Sequence, residues 1–469
     1  MQNSLGFKND LKEGRVIDII SHLFFALLII LAVLYREERL LSDASYYFFR
    51  VVNNESFWVE HDRYILIFSQ IAPWVGSNLG LDLSTIVLLS SVGHVCFFYT
   101  IYLVTRYVYK DIYAGLILLS IQLLGITSGY FVPIFEFYYA MGFLVLFYVI
   151  FNNSKNKFKH FVLLILAFFI ITAHFYAIVL FIYALLLYAF EKKDFKIKKY
   201  IPYTLLIVLF VVFKFSIISD YEKSKTTDFL YSLRHNVYDF AYLKSWLSFI
   251  LSYYWDWATL ILITVVLMIL KKKYLVLLGY SVFLIGLIIM VNVSSYGFDL
   301  SRYKEQVNFS LMFLAGFTLI YFVSLLSRSI YKYILIVLVS TIFIFRFCTI
   351  WKYGKQYSSR LGEMKEIIAT TQKKEGTKFI IDQKGLVFDA NWSYPIESLI
   401  FSSIHQEKCA SIVTEDDFYF LKNNEKIKPS EYLFRRWEVY DISRLNPRYF
   451  KLSLSKYSSI DIQSLTPIQ

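Results

Sequence analysis

The chain has 469 residues, 57% hydrophobic and 18% charged, with a mean hydropathy of +0.51. A water-soluble protein of this size cannot cover that much apolar surface, so bilayer hydrocarbon must serve as its solvent. The net charge of +12 would suggest nucleic acid in a soluble chain. Here Lys and Arg sit in short loops between apolar runs, where they act as topology signals, and nucleic acid is not an expected partner.

The first apolar run starts near Val16. It is too long for a signal-peptide core and no small-residue cleavage site follows, so it should stay as an anchor. Spans are expected at 16–35, 84–106, 112–129, 133–151, 161–173, 175–190, 202–219, 247–270, 274–294, 308–327 and 333–350, about eleven crossings. Residues 160–190 are almost continuously apolar. As one straight helix they would measure about 46 Å, too long for one ordinary span and short for two. Lys155, Lys157 and Lys159 precede the stretch, and Lys192, Lys193, Lys196, Lys198 and Lys199 follow it. The positive-inside rule puts both loops in the cytoplasm, so the chain should go out and return, reversing near Thr172–Tyr176. Lys8, Lys12, Arg15, Arg106, Lys110, Lys271–Lys273, Arg328 and Lys332 then also fall inside. The expected protein is multi-pass in a bacterial inner membrane, with a cytoplasmic N-terminus and a periplasmic or extracellular tail.

Composition shifts after Trp351, dividing the chain into a transmembrane domain (1–350) and an extracytoplasmic tail (351–469). Arg360–Lys373 reads as an amphipathic helix, Lys378–Asp382 and Gly385–Phe388 as strands, Trp392–Ile404 as a helix and Ala410–Val413 as a strand. The fold class is therefore an all-α polytopic membrane protein with a small C-terminal α/β domain. No internal repeat and no low-complexity tract is evident. Cys96, Cys348 and Cys409 have no metal or redox spacing.

Chemistry concentrates in the first outer loop, 36–83. It holds Asp43, Tyr46 and Tyr47, then Trp58, Glu60, His61, Asp62 and Arg63. Tyr46–Val52 reads as a short helix in the membrane interface. Acidic, basic and aromatic groups at a membrane mouth suit a sugar or a phosphate-bearing head group; the alternative is a solvated loop with interfacial aromatics. Glu136, at the outer start of the fourth span, is an ionisable group at membrane depth and a site candidate by default. Arg302, followed by Tyr303, precedes the tenth span on the same face. His174 falls at the reversal, where a turn residue bonded to backbone is favoured over a catalytic base. A carboxylate beside a hydroxyl acceptor can act as general base, and an arginine can hold a phosphate leaving group.

The Ser42-Asp43-Ala44-Ser45-Tyr46-Tyr47 loop after the first span resembles the acidic loop of GT-C fold glycosyltransferases. The following interfacial helix, the paired short helices mid-chain and Arg302-Tyr303 before an apolar span are similar to that superfamily over roughly residues 10–350. The resemblance implies a polyprenyl-phosphate-linked sugar donor, a lipid, glycan or protein acceptor in the envelope, and reaction at the outer face. It also implies a catalytic Asp43, a second acidic position at Glu136 and a donor-phosphate contact at Arg302. Arg63, Tyr46, Tyr47, His61 and Tyr303 complete the expected substrate-binding set. No cofactor is certain, and a divalent metal is compatible. Three other readings compete. An O-antigen-type polymerase would use Arg63, Arg234 and Arg302. A lipid-linked sugar flippase would need paired halves and polar groups at mid-membrane depth, where only Lys214 lies. An acyltransferase would need a polar partner for His174.

Overall fold

The computed structural model describes residues 11–460, except 155–156, 218–219, 237–239, 296–300, 383–390, 407, 417, 419–431, 436–438 and 454–455. For a few helix and strand residues, Arg302 and Tyr303 among them, it describes the backbone alone. The helices are α1 (Leu11–Leu34), α2 (Asp43–Asn54), α3 (Leu66–Asn78), α4 (Leu83–Leu103), α5 (Ala114–Leu123), α6 (Glu136–Asn153), α7 (Lys159–Ile171), α8 (Phe175–Lys192), α9 (Ile197–Ser216), α10 (Asp220–Asn236), α11 (Phe240–Tyr253), α12 (Trp255–Leu270), α13 (Tyr274–Ser295), α14 (Ser301–Ser324), α15 (Ser329–Gln372) and α16 (Tyr394–His405).

Among the described residues seven helices are long and apolar enough to cross a membrane, or eight if a bent pair is one span. The chain is a helical membrane protein. On α9, Ile201, Leu205, Leu209 and Val212 are at least half exposed, a face that only hydrocarbon would cover. Two of the other expected spans take a different form. The expected span at 112–129 forms only α5, ten residues buried on all sides, before a 3₁₀ turn at Ser128–Phe131. The expected span at 247–270 breaks at Tyr254, where Trp246–Tyr253 and Trp255–Leu270 meet at 94°.

The 160–190 stretch divides at Thr172–His174. Phe151, near the end of α6, accepts a hydrogen bond from Lys159 Nζ at 2.8 Å and packs on the Tyr188 ring at 4.7 Å. The start of α7 and the end of α8 are therefore together, and the stretch returns to the end it left. Basic residues gather there in ion pairs: Lys199 with Asp194, Lys273 with Glu191, Lys332 with Glu13 and Arg106 with Asp18.

Helix α15 runs unbroken for 44 residues. The compositional boundary at 350/351 falls inside it, because Ser329–Gln372 contains no proline and neither of its two glycines, Gly354 and Gly362, stands at a turn; Gly354 lies against the Tyr35 ring. The tail that follows has β1 (Lys378–Ile381), β2 (Ser411–Thr414), β3 (Tyr432–Arg435), β4 (Val439–Asp441) and β5 (Ser458–Ile460). A parallel sheet has the order β2-β1-β5, with Lys378 opposite Ser411 and Phe379 opposite Ser458. Strands β3 and β4 pair antiparallel. The expected strand Gly385–Phe388 lies outside the described residues. Helix α16 covers β2, with Ser398 Oγ accepting from the Ile412 N–H (2.9 Å) and Ser402 Oγ from the Ala410 N–H (2.8 Å).

Two hydrophobic cores result. One fills the bundle. The other joins Tyr46, Phe49 and Val52 of α2 to Met364 and Ile367 of α15, Phe379 of β1, and Ile396 and Leu399 of α16. Helix α2 was expected in a membrane interface. It is instead buried between the bundle and the tail, because four consecutive aromatics (Tyr46–Phe49) put apolar surface on every side of a helix.

Candidate functional site

Three charged residues expected to matter meet at the tail end of the bundle. Asp43 is the first residue of α2, partly buried, where the helix dipole favours a negative charge. Its neighbour Ser42 has φ 54° and ψ −116°, a left-handed backbone that costs a non-glycine residue about 1–3 kcal/mol and persists only when its surroundings hold it. Glu397 of α16 supplies part of that hold: its Oε1 accepts the Ser42 N–H at 2.8 Å and the Ser393 hydroxyl at 2.6 Å, while the carboxylate pairs with Arg360.

Glu136 opens α6 and is 7% exposed. Arg63 donates to Glu136 Oε1 in an ion pair, and the Asp43 carboxylate lies within electrostatic range of Glu136. Two like charges and one arginine thus share a small volume. His174 lies within range of the Arg63 charge. Its Nδ1 accepts the Tyr176 N–H at 3.3 Å as the N-cap of α8, and its ring packs on Phe137 and Tyr176. That is the turn role favoured for it.

Tyr46 and Tyr47 share one carboxylate. Both hydroxyls donate to Glu60, at 2.6 and 3.0 Å, and Trp58 Nε1 donates to the same carboxylate at 3.0 Å. Burial, then the Glu60 charge, push the Tyr46 hydroxyl far above its ordinary range, so it remains a neutral donor. Arg50 Nε donates to the Tyr46 hydroxyl at 3.1 Å, and its guanidinium sits over the Trp58 ring at 4.1 Å. These contacts fold the loop against α2.

His61 and Asp62 are consecutive left-handed residues, φ 54° and 56°. Lys214 of α9 donates to the His61 carbonyl at 2.6 Å and to Asp62 Oδ2 at 3.1 Å. The clamp fixes the turn that delivers Arg63. Lys214, the one charge noted at span depth, is therefore explained by this pairing. Gln70 holds the other side of the loop, exchanging two 2.7 Å hydrogen bonds with the Trp58 backbone.

Arg302 and Tyr303 lie in the first turn of α14. Their side chains are outside the described residues. Among the described residues no group of three or more His, Cys, Asp or Glu is placed to hold a metal ion. Sequence reading noted Glu60 in the loop and Lys214 at span depth without their partners, and it missed Glu397. Glu60 stands beside Trp58 and could have been suspected. Glu397, more than three hundred residues from Ser42, carries no local signal. No family model matches the chain, and no curated protein and no solved structure matches it either.

Proposed function

We propose that this chain is a membrane glycosyltransferase moving a sugar from a polyprenyl-phosphate-linked donor to an envelope acceptor at the outer face of a bacterial inner membrane. The observation that carries the reading is the convergence of Asp43, Glu136 and Arg63 where α2 and α6 begin. Support for the orientation comes from the basic loops, which gather at the end opposite the tail and belong in the cytoplasm by the positive-inside rule. The tail then lies outside as an extracytoplasmic domain. The proposal keeps eleven passages through the bundle, counting α6, short α5 and α7 and the bent α11–α12 as passages beside the seven long helices.

In the proposed inverting displacement, Asp43 accepts the proton of an acceptor hydroxyl as that oxygen bonds to the anomeric carbon. The bond from that carbon to the phosphate oxygen breaks, and polyprenyl phosphate leaves with the electron pair. Arg63, with Arg302, holds the departing phosphate; Arg63 is kept oriented by Glu136 until the donor arrives. Arginine suits this role because its planar donor fork matches phosphate oxygens.

The test is transfer of radiolabel from polyprenyl-phosphate-linked hexose and pentose donors to membrane acceptors. Asp43→Asn should lose about 10²–10⁴ in rate while accumulating normally. Asp82→Asn, which retains the N-cap to Thr85, is the control and should transfer at the native rate. Asp62 is unsuitable as a control because Lys214 holds it. Native-rate transfer by Asp43→Asn would remove Asp43 as the base and, with it, this reading.

A further inference from the structure

A cavity of about 130 Å³ lies at the α11–α12 break, against α14 and α15. Its back wall holds Tyr254, Glu305 and Arg346, which are 2%, 1% and 1% exposed. Its mouth holds Tyr253, Trp255 and Phe345, each about half exposed. The mouth residues stand at the break between the two halves of the bent pair and near the tail-side end of the last span, so they face the edge of the bilayer rather than the protein interior.

Charge decides what such a cavity can take. Glu305 is saturated: it accepts from the N–H groups of Thr127 (3.0 Å), Ser128 (3.0 Å) and Gly129 (2.6 Å), from the hydroxyls of Thr127 (2.5 Å) and Ser128 (3.0 Å), and from Tyr254 (3.2 Å). Arg346 is neutralised by Asp256, with Nε donating to Oδ2 at 2.7 Å, and Nη2 also donates to the Tyr253 carbonyl at 2.9 Å. Its Nη1 has no hydrogen bond to a described residue. That nitrogen is not fully enclosed, and an acceptor entering the cavity would complete its hydrogen bonding. No unpaired charge remains to hold a phosphate or a cation. The cavity offers a charge-assisted donor and aromatic faces.

Aromatic faces cover the C–H side of a hydroxylated ring, and a buried donor satisfies its oxygens. A comparable cavity of about 150 Å³ takes one benzene-sized ring. The mouth at the bilayer edge requires a tail that stays in hydrocarbon. We infer that this cavity binds the neutral sugar head group of a glycolipid, with one ring inside and the apolar tail left in the membrane. The inference rests on the membrane reading and not on the transfer chemistry. Glu305 holds the Thr127–Gly129 end of the segment whose other end carries Glu136, so an occupied cavity touches the element that positions the proposed site.

The experiment uses the full chain in nanodiscs and three tritiated probes with one tail: decyl β-D-glucoside, decyl phosphate and decanol. Binding above empty nanodiscs should be saturable for the glucoside and at least about tenfold weaker for the other two. Thr349→Phe and Ser252→Phe fill the cavity from its rim without touching the Arg346–Asp256 pair. Each should abolish glucoside binding at unchanged thermal stability, and Asp43→Asn should keep it. Saturable glucoside binding by a native chain that transfers no sugar would sink the proposed reaction and leave this inference standing. No saturable glucoside binding, meaning a cavity filled by water only, overturns it. So does tighter binding of decyl phosphate, which makes it a phosphate site, or undiminished glucoside binding in both filled variants, which places the probe elsewhere.

Discussion

Glu397 accepts the backbone N–H of Ser42 at 2.8 Å, across 355 positions of sequence, and so ties the tail to the residue before Asp43. The same carboxylate pairs with Arg360 on α15 and is fully buried. Removing one partner of a buried pair costs about 3–5 kcal/mol because the other charge is left uncompensated. Glu397→Ala should therefore lower the thermal midpoint and also cut transfer, since Ser42 loses its holder. Ser42→Gly, which removes the backbone strain, should be no less stable than the native chain. Differential scanning fluorimetry on the two variants checks both directions.

Arg63 is the second prediction. Arg63→Met leaves Glu136 buried and unpaired and should destabilise by about 3–5 kcal/mol. Arg63→Lys keeps the charge but not the planar fork, so it should restore most of the stability and little of the donor affinity. In the transfer assay the lysine variant should show a raised KM for the donor. A lysine variant with native KM would remove Arg63 from the phosphate site.

Gly129 has almost no room beside it. A Cβ there would lie 2.3 Å from the Tyr138 hydroxyl and 2.5 Å from Glu305 Oε1. Gly129→Ala should lose at least the usual overpacking cost of about 1–3 kcal/mol, read as a lower thermal midpoint. It should also weaken decyl β-D-glucoside binding, because Glu305 must shift. Gly286→Ala, with open space around its Cβ position, is the neutral comparison.

Glu37 gives the joint between bundle and tail a pH dependence. Burial pushes its carboxyl up, but hydrogen bonds and charges from Lys365 and His405 outweigh that and hold it below its ordinary value of 4.5. A carboxylate whose folded value is depressed contributes stability above the unfolded value, and that contribution is lost as pH falls through the folded one. Thermal stability should thus decline as pH drops below about 4.5. Glu37→Gln should flatten that part of the profile and lower stability at neutral pH. A variant curve parallel to the native one below that pH would assign the acid sensitivity to another group.

The sequence by itself determined what depends on solvent and local pattern. Its apolar content required a membrane. The lysines flanking 160–190 required that stretch to return to its starting side, and Phe151, touching both Lys159 and Tyr188, sits where it does. Lys378–Ile381, Tyr394–His405 and Ser411–Thr414 were legible because strand and helix periodicities are short-range. Asp43, Glu136 and Arg63 were legible as types in plausible places, because buried or membrane-edge charge is costly wherever it occurs. Only the tertiary structure decided that these three lie near one another, that Tyr46 and Tyr47 share Glu60, and that Lys214 is spent on the His61–Asp62 turn. It alone broke 247–270 at Tyr254, where Glu305, from a different helix, captures the tyrosine hydroxyl. It alone joined α2 to the tail, since a run of four aromatics says only that all sides will be covered and never by what. Each of these depends on partners far apart in the chain, and a hydrogen bond such as Ser42 to Glu397 exists only once the fold has closed the distance.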